Sequence, residues 1–352
     1  MGSRPSALRL ERFKLLLRIM LISALIGVVY GAFVPQSGLP RWASIVVGAV
    51  TGSLVGGSIG AIEIFLLRAG TPMARLVRLP FIAVVALKTI VYTAIVAVVI
   101  GGSPLVTYPL AGLVQPILLE RHAALVAIGF SLVVAVIFVI TLQAAGLVGR
   151  RTFRDLVLGR YRRPRAERRF FLFVDVVGST TIAERLGPMQ AHRFLSRVFS
   201  AVAEPVAVCR GEIYQYVGDE IVVTWTEADG AIEARPLRCY FEMSAAVDAL
   251  GAEFAAQFGA EAELRAALHL GDVIAGEVGE QRRAIVFHGD VMNTASRLEQ
   301  ATREHGCRFI ASADALRAFG PLPELVSRDL GALALRGRKE PIPAFAIERF
   351  DA

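Results

Sequence analysis

Hydrophobic positions divide this chain into two unlike halves. In the first, apolar residues run almost unbroken through about 15–34, 43–67, 80–101 and 122–146. Each run reaches the roughly 20 residues needed to cross a bilayer. An all-α domain of four transmembrane helices is expected over 1–148, followed by a linker at 149–167 and a second domain at 168–352. In that second domain apolar residues come in short groups. The run from Phe170 to Val174 suits a fully buried strand, stops at Asp175, and is followed by Gly178-Ser179-Thr180, which turns the chain and caps a helix. Phe194, Leu195, Val198, Phe199 and Val202 keep helical spacing, so a helix opening at Thr181–Glu184 should run to about Ala207. The stretch Gly211–Trp225 reads as a hairpin whose turn, Val217-Gly218-Asp219-Glu220, carries an acid. Pro236–Phe258 reads as helix, Ala262–His269 and Ala284–Phe287 as strands, and the segment holding Asn293 and Arg297 as helix. The order β-α-β-β-α-β, with additions, suits an α+β ferredoxin-like sheet with helices on one face.

Composition supports a membrane half. A mean hydropathy of +0.55 with 55% hydrophobic residues is too apolar for an ordinary soluble protein. The net charge of +7 hides an asymmetry: residues 1–165 hold 18 basic against 4 acidic side chains, and residues 166–352 hold 20 against 27. The excess of positive charge belongs to the membrane half, so nucleic acid is not an expected partner. Arginines crowd the N-terminus, the loop with Arg68, Arg75 and Arg78, and the region from Arg150 to Arg169. By the bias of such residues toward the cytoplasm, both termini face it, and the chain is a multi-pass protein of the inner (plasma) membrane. The first apolar run reads as a retained signal anchor, because it is long and shows no small-residue cleavage site. Cys209, Cys239 and Cys307 lack metal or redox spacing and fit free thiols in a reducing compartment. The five histidines show no ligand spacing either.

Inside the second span Gly48, Gly52, Gly56 and Gly60 recur every fourth residue, a ridge that admits another helix closely. Packing within one bundle and dimerisation explain it equally well. Glu63 and Lys88 are charges inside spans, near enough to the boundary to pair across the second and third helices. They read either as a membrane coupling site or as side chains solvated at the headgroups. The stretch 102–120 is apolar but carries Pro104, Pro109 and Pro116, and reads as a proline-broken loop that is either a re-entrant or interfacial segment or a ligand-facing lid on the outer side. The basic linker reads as an electrostatic anchor to anionic lipid, and its position makes it the covalent route between the two domains.

The chemistry rests on three runs: Phe173-Val174-Asp175-Val176-Val177-Gly178-Ser179-Thr180, Gln215-Tyr216-Val217-Gly218-Asp219-Glu220, and His288-Gly289-Asp290-Val291-Met292-Asn293-Thr294-Ala295-Ser296-Arg297. Two acids at neighbouring strand ends, beside free helix amides, suit divalent cations and a polyphosphate. Asn293 and Arg297, four apart, project from one helix face. Together the runs resemble the class III adenylate/guanylate cyclase catalytic domain over roughly residues 166–350. The resemblance implies attack of a ribose 3′-hydroxyl on the α-phosphate of a nucleoside triphosphate, closing a cyclic ester and releasing pyrophosphate. It implies two Mg²⁺ or Mn²⁺ ions per site held by Asp175 and Asp219, with Val176 lending backbone. Gly178, Ser179 and Thr180 would meet phosphate, Asn293 would orient the ribose, and Arg297 would stabilise charge on the α-phosphate. Arg338, in Leu335-Arg336-Gly337-Arg338-Lys339, is similar to the family's basic strand that meets the triphosphate tail. In the family the metals and the Asn/Arg pair meet across a dimer interface, so a homodimer with two composite sites is implied.

Base recognition departs from the pattern. The family's adenine-reading lysine falls at Gln215 and its partner at Val286, and neither fits the pair of guanylate cyclases. Gln215 can still donate to and accept from a purine edge. ATP is the expected substrate by analogy of architecture, converted to 3′,5′-cyclic AMP under control of the membrane domain and of a ligand it meets in the membrane or outside. The alternatives are a guanylate cyclase and a degenerate cyclase-like signalling module that binds nucleotide without turnover.

Overall fold

The computed structural model describes residues 4–33, 40–66, 80–110, 121–280, 283–336, 338 and 340–350. The loop with Arg68, Arg75 and Arg78, residues 111–120 of the proline-containing stretch, and Gly337 and Lys339 lie outside the described residues. The chain forms two compact units, Met1–Leu147 and Val148–Ala352.

The first unit is built from α1 (Arg4–Phe33), α2 (Arg41–Ala61), α3 (Phe81–Leu110) and α4 (Arg121–Val148). Four segments of them, Phe13–Phe33, Arg41–Phe65, Phe81–Gly102 and Ile128–Val148, are long and apolar enough to cross a membrane. Instead of breaking at Gly102, α3 continues to Leu110 through Pro104 and Pro109. Prolines are tolerated in such apolar helices because neighbouring groups re-satisfy the freed backbone.

The glycine ridge packs within the chain. A Cβ on Gly48 would overlap the Gly27 carbonyl, one on Gly27 would overlap the Gly48 carbonyl, and one on Gly52 would overlap the carbonyl of Ser23. The backbones of α1 and α2 therefore touch, and no rotamer can relieve an added side chain there. Gly48→Leu is expected to lower stability by about 1–3 kcal/mol, the usual cost of overpacking. A shifted midpoint in detergent-driven unfolding of the full chain checks this, and an unchanged midpoint would contradict it.

Beyond Ala61, α2 closes in a π-helical turn, Ile62–Leu66, that carries Glu63. Lys88 Nζ donates to Glu63 Oε1 at 2.6 Å, and the Tyr92 hydroxyl donates to the same oxygen. Lys88 and Tyr92 lie one turn apart on α3. Tyr92 is buried with Ile59 of α2 and Ala135 and Val139 of α4, so the polar contact roots in the core shared by three helices.

The second unit is a mixed sheet of β1 (Arg165–Val176), β2 (Glu212–Val217), β3 (Glu220–Thr226), β4 (Leu264–Val278), β5 (Ala284–His288), β6 (Phe309–Ser312), β7 (Leu325–Leu333) and β8 (Ile342–Phe350). Strand order is β2-β3-β1-β4-β6-β8-β7, with β5 paired to β4. Among the described residues only β4 and β6 pair in parallel. This is the α+β architecture expected from the alternation of elements.

Alternation along β1 decides which side chain meets which layer. Phe170, Leu172 and Val174 enter a core with Phe194 and Val198 of α7 (Pro188–Val208), Leu237 and Met243 of α9 (Arg235–Asp248) and Phe254 of α10 (Gly251–Phe258), while Gly230 of α8 (Glu227–Ala231) lies against Phe170. Phe171 and Phe173 point the other way, into a core with Val291 and Ala295 of α11 (Asp290–Glu304). Helices thus cover both faces rather than one. The reason is that β1 is apolar on both sides, and only one set of its side chains is used by α7 and α9. The helix expected to be continuous from Thr181 breaks into α6 (Ser179–Leu186) and α7. Gly187 sits there at φ +73, and Pro188 opens the new helix, where its missing amide costs nothing.

Before β1, the short helix α5 (Arg150–Val157) is fastened to this sheet. Arg151 Nη2 donates to Asp229 Oδ2 at 2.8 Å, and Thr152 Oγ1 donates to Glu212 Oε1 at 3.2 Å. Glu212, the first residue of β2, also accepts from Arg169 of β1, whose guanidinium is fully buried beside Thr224. The linker is thereby tied to the strands that end at Asp175 and Asp219.

Candidate active site

Sheet register places the acids. Asp175, next to last on β1, lies between Glu220 of β3 and Arg265 of β4. Directly opposed residues share a face, so these three side chains form one row. Asp219 reaches the same end because β2 and β3 are joined by the two-residue turn Gly218-Asp219, with Gly218 at φ +63 where glycine carries no penalty.

Asp175 is buried. Its Oδ2 accepts from Arg265 Nη2 at 2.6 Å and from Arg303 Nη2 at 3.3 Å, while Arg265 Nε donates to Glu299 Oε1 at 2.7 Å. Burial pushes Asp175 up to about 6, helped by its hydrogen bond to Asp219 and opposed by Arg265. Asp219 is held below the usual carboxylate range: burial works against this, but hydrogen bonds from Ser179 and Asp175 outweigh it. Glu220 is pushed up to about 7 by burial and by the charges of Glu299, Asp175 and Asp219. Carboxylates gathered in this way repel one another, which pushes one of them toward its protonated form.

This donor set fits a divalent cation. Magnesium takes one or two protein carboxylates and completes its shell with water and substrate phosphate, so a dedicated cage is not needed. Among the described residues no three His, Cys, Asp or Glu side chains converge on one metal position. Asp175 and Asp219, with the neighbouring Val176 backbone, are the groups that would hold it. The amides of Ser179, Thr180 and Thr181 open α6 without intrahelical acceptors, whereas Ile182 already bonds Gly178. They sit beside the carboxylates through the Ser179 hydroxyl, which donates to Asp219.

A second group of expected residues gathers along α11. That helix buries Val291, Thr294, Ala295, Leu298 and Ala301 against the sheet and leaves Asn293 exposed and Arg297 half-exposed. Arg338 Nη1 donates to Asp290 Oδ2 at 2.5 Å and to Thr294 Oγ1 at 2.6 Å, so it joins the start of this helix. The two groups do not meet within one chain. It is Glu299 and Arg303 that α11 turns toward Asp175, through Arg265 and directly. Asn293 is ten residues before Arg303, about 15 Å along the axis, and Arg297 lies roughly 200° around the helix from Glu299. Among the described residues neither Asn293 nor Arg297 has an ionic or hydrogen-bonding partner.

Gln215 follows a bulge in β2 and is exposed. Val286 lies opposite Gly276 of β4 and is half-buried. Sequence reasoning missed Arg265, Glu299, Arg303 and Glu220. The signal was present in one of them: Arg265 interrupts the apolar run Leu264–Leu270, and a charge inside a buried strand needs a partner.

His269, further along β4, is buried with Nδ1 2.8 Å from Ser312 Oγ. Burial lowers it from its ordinary 6.5 to about 4, in the field of Asp314, Arg338, Asp290 and Arg168. A histidine depressed in this way contributes stability above its unfolded value near 6.5 that is lost as pH falls toward about 4. His269→Asn is therefore expected to flatten that part of the melting-temperature profile. Parallel profiles for the two proteins would contradict it.

Comparison with known proteins points in one direction. The pattern of the adenylate and guanylate cyclase catalytic domain matches residues 164–347. "Adenylate cyclase 2" of Rhizobium meliloti (strain 1021) is 37% identical over 212 residues, covering 60% of this chain and 58% of that protein. An adenylate cyclase of Anabaena cylindrica is 28% identical over 186 residues, covering 50% of this chain and 36% of that protein. The chain thus spans little more than half, or less, of these relatives. A bacterial light-regulated adenylyl cyclase has a similar fold, with a TM-score of 0.54 and 17% identity, covering 65% of this chain and 67% of that one.

Proposed function

Because the chain belongs to the adenylate and guanylate cyclase catalytic-domain family, we propose that it converts ATP to 3′,5′-cyclic AMP and pyrophosphate as a membrane-anchored homodimer. The observation that carries the reading is that Asp175, near the end of β1, and Asp219, on the β2–β3 turn, gather at one end of the sheet beside the opening of α6.

When bound there, two Mg²⁺ or Mn²⁺ ions would lower the pKa of the ribose hydroxyl and neutralise the phosphates. Asp175 and Asp219 hold that charge in place, and Arg265 and Arg303 fix the Asp175 carboxylate from one side. The amides of Ser179 and Thr180 face phosphate oxygens. Asn293 and Arg297, turned away from their own acids, belong to the site of a second copy, where Asn293 orients the ribose and Arg297 meets charge growing on the α-phosphate. Arg338 holds the triphosphate tail from the same helix face. Such positioning and charge stabilisation is most of what phosphoryl transfer requires.

The membrane-spanning helices anchor this reaction at the inner face of the plasma membrane, with both termini cytoplasmic. Glu63, Lys88 and Tyr92 couple them to it, by way of α4 and the α5 contacts to Glu212 and Asp229. Glu63→Gln weakens the link between α2 and α3 and is expected to change basal turnover several-fold, about 1 kcal/mol of coupling. Turnover equal to the unaltered protein would remove this role.

The purified full chain, offered ATP and GTP side by side with Mn²⁺, tests the reaction. Cyclic AMP with pyrophosphate supports it. Gln215 and Val286, which match neither base-reading pair of the family, favour a second reading, a cyclase-like module that binds nucleotide without turnover. Nucleotide binding without pyrophosphate release would select that reading, whereas faster cyclic GMP formation would make the protein a guanylate cyclase.

A further inference from the structure

Between α5 and β1 the chain makes a turn that the reaction does not use. Val157, Leu158, Gly159, Arg160, Arg162, Arg163 and Arg165 line an open concavity of about 400 Å³ there. The turn is built rather than loose. Gly159 takes φ +62, Tyr161 is buried in the sheet core, its carbonyl accepts from the Glu277 amide at 2.9 Å, and its hydroxyl donates to Glu167 at 3.0 Å. Arg160 stacks over the Tyr161 ring at 5.3 Å and pairs with Glu167 at 3.4 Å.

The other three guanidinium groups are different. Arg162, Arg163 and Arg165 are exposed, and among the described residues none has an acidic partner. No acid lines the concavity, so its charge calls for an anion. Beside them Val157 and Leu158 are 68% and 71% exposed. Two bare aliphatic side chains are of no use to a phosphate ion in water, but they suit the margin between headgroups and acyl chains. Position along the chain agrees. Val157 comes nine residues after Val148, the end of a helix able to cross a membrane, at most about 30 Å of extended chain.

We propose that this concavity binds the phosphate of an anionic phospholipid headgroup through Arg162, Arg163 and Arg165, with Val157 and Leu158 entering the acyl margin. The proposal rests on the membrane reading but not on the cyclase reaction. It gives the linker a lipid-dependent grip at the point where α5 passes into β1, so bilayer composition acts on the segment fastened to the catalytic strands.

The test uses the full chain in nanodiscs of phosphatidylcholine, alone or mixed with phosphatidylglycerol, and reads amide hydrogen exchange across residues 156–166. Exchange should slow roughly fivefold for each engaged arginine when phosphatidylglycerol is present. The Arg162→Gln/Arg163→Gln double variant should lose this dependence while keeping basal turnover. An equal loss of charge at Arg193→Gln/Arg317→Gln should leave it intact. Equal exchange in both discs overturns the lipid site, as does equal sensitivity of the control variant, which would mean general charge alone. Slowing by inorganic phosphate in phosphatidylcholine discs would assign a soluble anion instead and also overturn it. Failure of the chain to enter nanodiscs would remove the membrane reading together with the site.

Discussion

Asp175→Asn is expected to lower turnover by about a thousandfold, some 4 kcal/mol of transition-state stabilisation, while the catalytic unit stays folded. The two halves of this expectation have separate causes. Activity is lost because asparagine cannot supply the negative charge that, with Asp219, would hold the cations. Folding is kept because the native carboxyl is already reluctant to ionise, being pushed up to about 6 mainly by burial. A carboxyl raised in this way favours the fold below its unfolded value, and that advantage is lost as pH rises through about 6. Near pH 8 without metal, the variant should therefore melt no lower than the unaltered protein, apart from the bond Arg265 gives up. The Mn²⁺-induced rise in melting temperature should disappear. Turnover that survives the substitution would remove Asp175 from the site.

Arg297→Ala is expected to cost about a hundredfold to a thousandfold in kcat, with little change in KM, because its charge is needed as the α-phosphate reacts rather than when nucleotide binds. Stability should hardly change, since among the described residues Arg297 has no partner to lose. A KM effect alone would mean that Arg297 only helps to hold nucleotide.

Much of this was legible because the informative features are local. An apolar run ending in Asp175 and then Gly178 specifies a strand, a turn and a helix start within a dozen residues. The hairpin at Gly218-Asp219 and the four apolar helices announce themselves in the same way. What escaped depends on register between distant strands. Nothing near Asp175 in the chain says that Arg265 and Glu220 flank it, and Glu299 is reached only through Arg265. The reading of α11 suffered from the same limit. Its helical character was legible, but which sheet face it covers depends on the second set of β1 side chains, Phe171 and Phe173, being equally apolar. The glycine ridge was undecidable from spacing, because a neighbour in the chain and a second copy demand the same small residues. Only the overlap of Gly48 with Gly27 assigns it to α1.

The geometry of α11 also sets the strongest demand on the proposed reaction. One helix offers Glu299 and Arg303 to its own acids and turns Asn293 and Arg297 elsewhere, so the proposed reaction requires a second chain to complete each site. Co-expression of Asp175→Asn with Arg297→Ala, each inactive alone, tests this most directly. In mixed dimers one site joins two damaged halves and the other joins two intact ones. About a quarter of full turnover should return, from one good site in the half of the dimers that are mixed. No recovery at any ratio of the two chains would contradict the composite site.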